Sequence, residues 1–168
     1  MEAATVGASK RADEGNPEPS RSIKHSYCGV GGMIAGHWNT ANTFDPGSDG
    51  PATLVSITFD ARMFPFAEGS GVDMILRTLI KQGNKFFESG AIEVEAGDLD
   101  WETNSRTCLT ANSFFRQETF DPNDPNPERP DFSESMQFGF TTANSSPNAG
   151  VCVENREALV DNFIVNVQ

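Results

Sequence analysis

The side chains best suited to hold a ligand in this chain are an isolated carboxylate, an oxygen-rich loop and a few aromatic rings. Asp161 interrupts the closing apolar run Leu159-Val160-Asp161-Asn162-Phe163-Ile164-Val165-Asn166-Val167. Strict strand alternation puts Leu159, Asp161, Phe163, Val165 and Val167 on one face, so a carboxylate points where a core belongs. Burying an unpaired charge is costly, which leaves Asp161 to accept several hydrogen bonds, meet a cation or sit at the open rim of the sheet. The loop Asp121-Pro122-Asn123-Asp124-Pro125-Asn126-Pro127-Glu128 gathers oxygen ligands on a proline-stiffened backbone. Calcium takes roughly six to eight oxygens at about 2.3–2.6 Å, and the loop could supply some of them, although its spacing is not that of an EF-hand. Asp161, Asp121 and Asp124 are therefore the candidate ligands of a structural Ca2+. Equally, Asp and Asn are ordinary turn residues, and a carboxylate at a strand entrance can simply accept backbone N–H groups.

Trp38, Trp101, Tyr27 and Phe87 offer flat rings on which a sugar could stack through its C–H face. Trp101 lies between Asp100 and Glu102, so its neighbours are solvated and it is the better stacking candidate. Trp38, beside His37 in a glycine-rich stretch, is the second; the competing expectation for a tryptophan in an all-β protein is the core.

Catalytic patterns are missing. Glycoside hydrolysis needs two carboxylates about 5–10 Å apart with one pKa raised, and no apolar frame marks any carboxylate here as an acid. There is no Gly-x-Ser-x-Gly elbow, and His25 and His37 carry no spacing that would make them a metal pair. The chain reads as a binding or structural protein, not an enzyme.

Composition narrows the partners. Twenty-four acidic residues against twelve basic ones give a net charge of −12, which repels nucleic-acid backbones and anionic lipid and suits cations or neutral polar ligands. No stretch approaches the roughly 20 apolar residues that would cross a bilayer as a helix. Cys28, Cys108 and Cys152 show no zinc spacing. In an oxidising compartment Cys108 and Cys152 could bridge and leave Cys28 free or intermolecular; in a reducing one all three are small apolar residues. Met1-Glu2-Ala3-Ala4-Thr5 lacks the basic and apolar stretches of a secretory signal, so an extracellular place requires another export route or a processed start.

The elements that must position these groups are strands. Thirteen Phe, 15 Gly and 10 Pro favour short strands joined by turns. Residues 1–24 are polar, carry Gly15-Asn16-Pro17-Glu18-Pro19, and read as a flexible N-terminal arm ahead of a domain over residues 25–168. A weak strand is expected within Ser26 to Trp38. Leu54 to Phe59 alternates cleanly, with Val55, Ile57 and Phe59 on one face. Val72 to Gln82 puts Met74, Leu76 and Ile80 opposite Arg77 and Lys81, Phe86-Phe87 with Ala91 to Glu95 suggests a short hairpin, and Trp101 to Leu109 is a further strand. Met136, Phe138 and Phe140 form one inward face, and Ala158 to Val167 closes the sheet. Around eight short strands make an all-β, two-layer antiparallel sandwich.

In order along the chain, Lys81-Gln82-Gly83-Asn84-Lys85-Phe86-Phe87, Trp101, Leu109-Thr110-Ala111-Asn112-Ser113-Phe114, Pro130-Asp131-Phe132-Ser133, Phe138-Gly139-Phe140-Thr141-Thr142-Ala143-Asn144-Ser145 and Val160-Asp161-Asn162-Phe163 resemble a group of largely uncharacterised secreted bacterial β-sandwich modules, similar in outline to carbohydrate-binding jelly rolls. The resemblance covers about residues 35–168. It implies a noncatalytic extracellular or cell-surface module that binds a glycan or another surface component, with Asp161 matching a last-strand position that often helps hold structural calcium. The alternative is a structural subunit of a surface layer, appendage or filament, whose N-terminal arm adds to the open sheet edge of another copy.

Overall fold

The computed structural model describes residues 5–12, 15, 19–28, 31–41, 43–64, 74–94, 100–119, 121–146 and 152–168. Its strands are β1 (Thr5–Arg11), β2 (Ser20–Cys28), β3 (Gly31–Trp38), β4 (Val55–Met63), β5 (Met74–Gln82), β6 (Lys85–Val94), β7 (Glu102–Leu109), β8 (Phe115–Arg116), β9 (Gln137–Ser146) and β10 (Cys152–Val167), with one short α-helix, α1 (Pro46–Asp49), and two 3-10 turns, Ala111–Ser113 and Gln117–Thr119, among the described residues. Two five-stranded sheets result, ordered β1-β2-β10-β4-β7 and β3-β9-β5-β6-β8, with every pairing antiparallel. The all-β sandwich expected from the alternation is the fold.

The pattern in β4 explains the layering. Val55, Ile57, Phe59, Ala61 and Met63 are all buried and meet Met74, Leu76 and Ile80 of β5, Phe87 of β6 and Met136 with Phe140 beside and within β9 in one core cluster. Removing those large apolar side chains from water is the main stabilising term of the two layers. On β5 the outward Arg77 and Lys81 alternate with the buried set, as the sequence suggests. The expected hairpin at Phe86-Phe87 and Ala91–Glu95 is instead a single strand. It folds back on β5 through Gly83-Asn84, with Gly83 at φ 57°, and it carries a bulge where Ser89 and Gly90 oppose Thr78 alone.

Two corrections concern charge and order. The stretch read as a flexible arm, residues 1–24, contains β1 and the first half of β2, which pair with each other on the rim of the first sheet. Polar composition there reflects an edge strand exposed to water, and it is tied down at one point: Glu157 of β10 accepts from Arg11 at 2.8 Å, from Lys24 at 3.1 Å and from the Ser22 hydroxyl at 2.6 Å. These donors outweigh the opposing effect of burial and hold the Glu157 carboxyl below its ordinary pKa. The chain thus adds this segment to its own sheet.

The second correction is Asp161. Asp161 lies opposite Asp60, but the next registered pair is Ile164 with Thr58, so Asn162 and Phe163 together oppose Phe59. That extra residue is a β-bulge, and Asn162 takes the left-handed turn at φ 48°, a conformation asparagine tolerates better than most residues. A bulge reverses the alternation. Ala158 and Val160 face the core before it, and Phe163, Val165 and Val167 face the core after it. Asp161 therefore shares a face with Asp60 and Leu159, away from the core.

Cysteine pairing also differs. Cys108 is an exposed free thiol, since β4 lies between β7 and β10 in the first sheet. Two strand spacings of about 4.8 Å exceed the roughly 7 Å Cα limit of a disulfide. Cys152 stands opposite Cys28 in the β2–β10 register; the side chains of both lie outside the described residues.

Candidate functional site

The outward face of the second sheet is where half-exposed aromatic surface collects. Because Phe138 and Phe140 of β9 turn inward, Gly139 and Thr141 turn outward, and the register sets Trp38 opposite Gly139 and Gly36 opposite Thr141 on β3. On the other side of β9, Leu79 pairs with Gly139, and Phe86 of β6 reaches the same face through its pairing with Lys81. Ile34, Gly36, Trp38, Leu79, Phe86, Gln117 and Thr141 line a groove of about 310 Å3. Trp38 and Phe86 have ring centroids 5.4 Å apart at 49°, and the Lys81 Nζ lies 5.6 Å from the Trp38 ring. Ile34 is 48% exposed, which extends the apolar surface beyond the tryptophan.

Two glycines make this arrangement possible. A Cβ at Gly139 would lie 2.0 Å from the His37 carbonyl oxygen and 2.7 Å from the Trp38 Cα, so only glycine lets β9 approach β3 that closely. At Gly36 a Cβ would touch Leu79 Cδ2 at 3.3 Å and Trp38 Cζ3 at 3.5 Å; its absence leaves the side of the indole open.

Beneath the groove lies an ionisable group. Glu88 is 1% exposed, and its closest countercharge is Arg77 at 3.9 Å. Its Oε1 and the Thr141 Oγ1 are buried without a well-formed hydrogen bond. Burial pushes the Glu88 carboxyl up, with the Thr141 hydroxyl and then Arg77 pulling the other way and the Glu118 charge adding to the rise.

The structure separates the residues that the sequence suggests. Trp101 sits just before β7 at the first sheet, and the Arg62 guanidinium lies 5.2 Å from its ring and 5.3 Å from that of Phe64, so a cation already covers one face of the indole. Trp38, the second candidate, is in the groove. Tyr27 belongs to β2, but its side chain lies outside the described residues. Phe87 is core, and its neighbour Phe86 is the ring the sequence reading missed; once β6 is a strand, one of two adjacent phenylalanines must face outward. Among the described residues no three His, Cys, Asp or Glu side chains come together, so Asp161, Asp121 and Asp124 do not form one ion site. Asp121 and Asp124 each accept a backbone N–H two residues on, from Asn123 and Asn126, at 2.8 Å. Asp161 accepts from the Asn162 N–H at 2.8 Å, and Asp60 opposite it accepts from Thr103 at 2.6 Å and the Asn162 amide at 2.7 Å.

His25 and His37 are buried between the sheets. His25 Nδ1 meets the Asn144 Oδ1, its Nε2 lies 2.9 Å from the Thr142 hydroxyl, and the same hydroxyl is 3.3 Å from His37 Nε2. One hydroxyl can donate to one ring and accept from the other, provided the ring it donates to is neutral. Burial first, then the Arg21 and His25 charges, lower His37 to about 4, and burial lowers His25. The unfolded chain, with histidine near pH 6.5, therefore binds more protons than the folded one between the two pKa values. Stability is expected to be complete above about pH 6.5 and to fall by roughly 3 kcal/mol as pH drops toward 4 through His37 alone. Urea titrations at pH 7.5 and 4.5 measure this. His37→Phe should flatten the loss, and an equal loss in that variant would place its source elsewhere.

No protein-family model and no curated protein matches the chain. Solved structures do. The family 11 carbohydrate-binding module of a cellulosomal cellulase of Clostridium thermocellum is 16% identical, with 97% of this chain and 82% of that one aligned at a TM-score of 0.51. A second structure of a family 11 module from the same organism, in complex with a β-1,3-1,4-mixed-linked tetrasaccharide, is 17% identical over 97% and 83% at 0.51. The chain has the β-sandwich fold of bacterial carbohydrate-binding modules. At these identities the likeness is one of fold, and the ligand must be argued from the groove.

Proposed function

We propose that the chain is a noncatalytic extracellular module that binds a neutral glycan along the outward face of its second sheet, with Trp38 stacking on the sugar. The observation that carries this reading is the half-exposed Trp38 ring, held beside Phe86 by the Gly139 approach and left open by Gly36, on a fold shared with a module whose structure is in complex with a tetrasaccharide. Apolar ring faces flanked by Gln117, Thr141 and Lys81 suit a polyol that shows both C–H and hydroxyl surface. The noncatalytic part is supported by Glu88: the carboxyl whose pKa burial raises is covered beneath the groove, out of reach of a glycosidic oxygen. Isothermal titration against neutral oligosaccharides, the mixed-linked β-glucan tetrasaccharide among them, tests the reading. Saturable binding by the wild type supports it, and silence across the panel removes it.

The calcium expectation has its own test. The separation of Asp161 from Asp121 and Asp124 predicts coincident thermal melts with and without EDTA, whereas a large downward shift on chelation would show that the folded form holds an ion, because a ligand bound only to the folded form stabilises it by mass action.

A further inference from the structure

β1 runs against β2 with Lys10 directly opposite Arg21. Like charges in that position repel, and in a chain of net charge −12 carboxylates are plentiful. Yet neither Lys10 nor Arg21 makes an ion pair among the described residues, while Arg11 and Lys24, on the other face, both close on Glu157. Arg21 lies on the side of β2 that carries the buried Ile23 and His25, opposite Val160. Val160 is the last β10 residue registered with β2; beyond it β10 pairs with β4 alone, and the sandwich opens. Two cavities of about 460 and 400 Å3 adjoin there, both lined by Arg21, Phe140 and Phe163. Lys10 and Asp161 border the first, and His37, Trp38 and Asn39 border the second. Each is within the range of small-molecule sites, roughly 300–1,000 Å3. Phe140 and Phe163 have centroids 5.4 Å apart at 50°, an apolar wall beside the cations. The Arg21 charge also contributes to holding His37 low, so the guanidinium acts on the interior and not only on solvent.

We infer that this opening is a second binding site, for an anionic sugar residue whose carboxylate or sulfate ester is held by Arg21 and Lys10 while its ring lies against Phe163. The anion preference follows from the two cations; that the ligand is a sugar rests on the glycan-binding reading above. An anion would supply the countercharge the pair lacks among the described residues, through charge-assisted hydrogen bonds that a guanidinium makes in pairs.

Titration at low salt with trigalacturonate, a sulfated disaccharide, sodium sulfate and the neutral panel, into the wild type, the Lys10→Gln/Arg21→Gln double variant and Phe86→Ala, tests the inference. One of the charged sugars should bind the wild type, weaken as salt is added, lose about tenfold or more in affinity in the double variant, and bind Phe86→Ala, which alters the groove of the second sheet and neither cavity here, unchanged. No binding by either charged sugar, or binding that the double variant retains, overturns it; sodium sulfate binding as tightly as the sugars also overturns it, since the aromatic wall would then contribute nothing. Relief of the like-charge contact means the double variant should melt no lower than the wild type. If it melts lower, Lys10→Gln alone, on the exposed edge strand, carries the affinity test. Charged sugars bound with the neutral panel silent would remove the proposed function while leaving this site, and the reverse result would do the opposite.

Discussion

Gly139→Ala is expected to lower the melting temperature by roughly 10 °C, a loss of about 3 kcal/mol or more from a chain of this size. The added methyl would meet the His37 carbonyl oxygen at 2.0 Å, the His37 carbonyl carbon at 2.9 Å and the Trp38 Cα at 2.7 Å. All three are backbone atoms, so no side-chain rotamer relieves the clash, and β3 must lift from β9. Circular dichroism melts measure the effect. Gly36→Ala is the control, because its methyl would meet the flexible end of Leu79 at 3.3 Å and should cost far less. Equal melts for Gly139→Ala and the wild type would mean that β3 and β9 are not so close.

Trp38→Ala should keep the fold and lose glycan affinity by about 30-fold or more, corresponding to roughly 2 kcal/mol for the truncation of a central aromatic anchor. Trp38 is half-buried in an open groove and stays outside the core cluster, which is why stability and affinity should separate. Trp101→Ala, by contrast, removes a ring already faced by Arg62 and should leave affinity within about twofold. Isothermal titration of both variants with the same oligosaccharide decides between the two tryptophans.

The layers of the fold were legible where burial follows strict alternation. Val55, Ile57 and Phe59 in β4, Met74, Leu76 and Ile80 in β5, and Met136, Phe138 and Phe140 at β9 all face the core as their spacing implies. Bulges defeat that reading. Asn162 reverses the alternation of β10, and the only trace of it in sequence is an Asp-Asn pair, both turn-forming residues, inside an otherwise apolar run. The Ser89-Gly90 bulge split one strand into an apparent hairpin in the same way. The N-terminal segment misled through composition: an edge strand wetted on its surface looks like a flexible arm until the Arg11–Glu157 contact, made across most of the chain, is known. The groove could not be read at all, because Trp38, Leu79 and Phe86 become neighbours only through the strand order β3-β9-β5-β6. Trp101 drew attention because its sequence neighbours are charged, and the residue that covers its ring, Arg62, is on another strand.

The chain has two tryptophans, so each can be made the sole fluorescent reporter. In Trp101→Phe the remaining emission comes from Trp38, and titration with the mixed-linked β-glucan tetrasaccharide or another bound member of the neutral panel should shift and saturate it. In Trp38→Phe the emission of Trp101 should stay constant over the same concentrations. A saturable change confined to the Trp101 reporter, with Trp38 silent, would contradict the placement of the ligand on the second sheet.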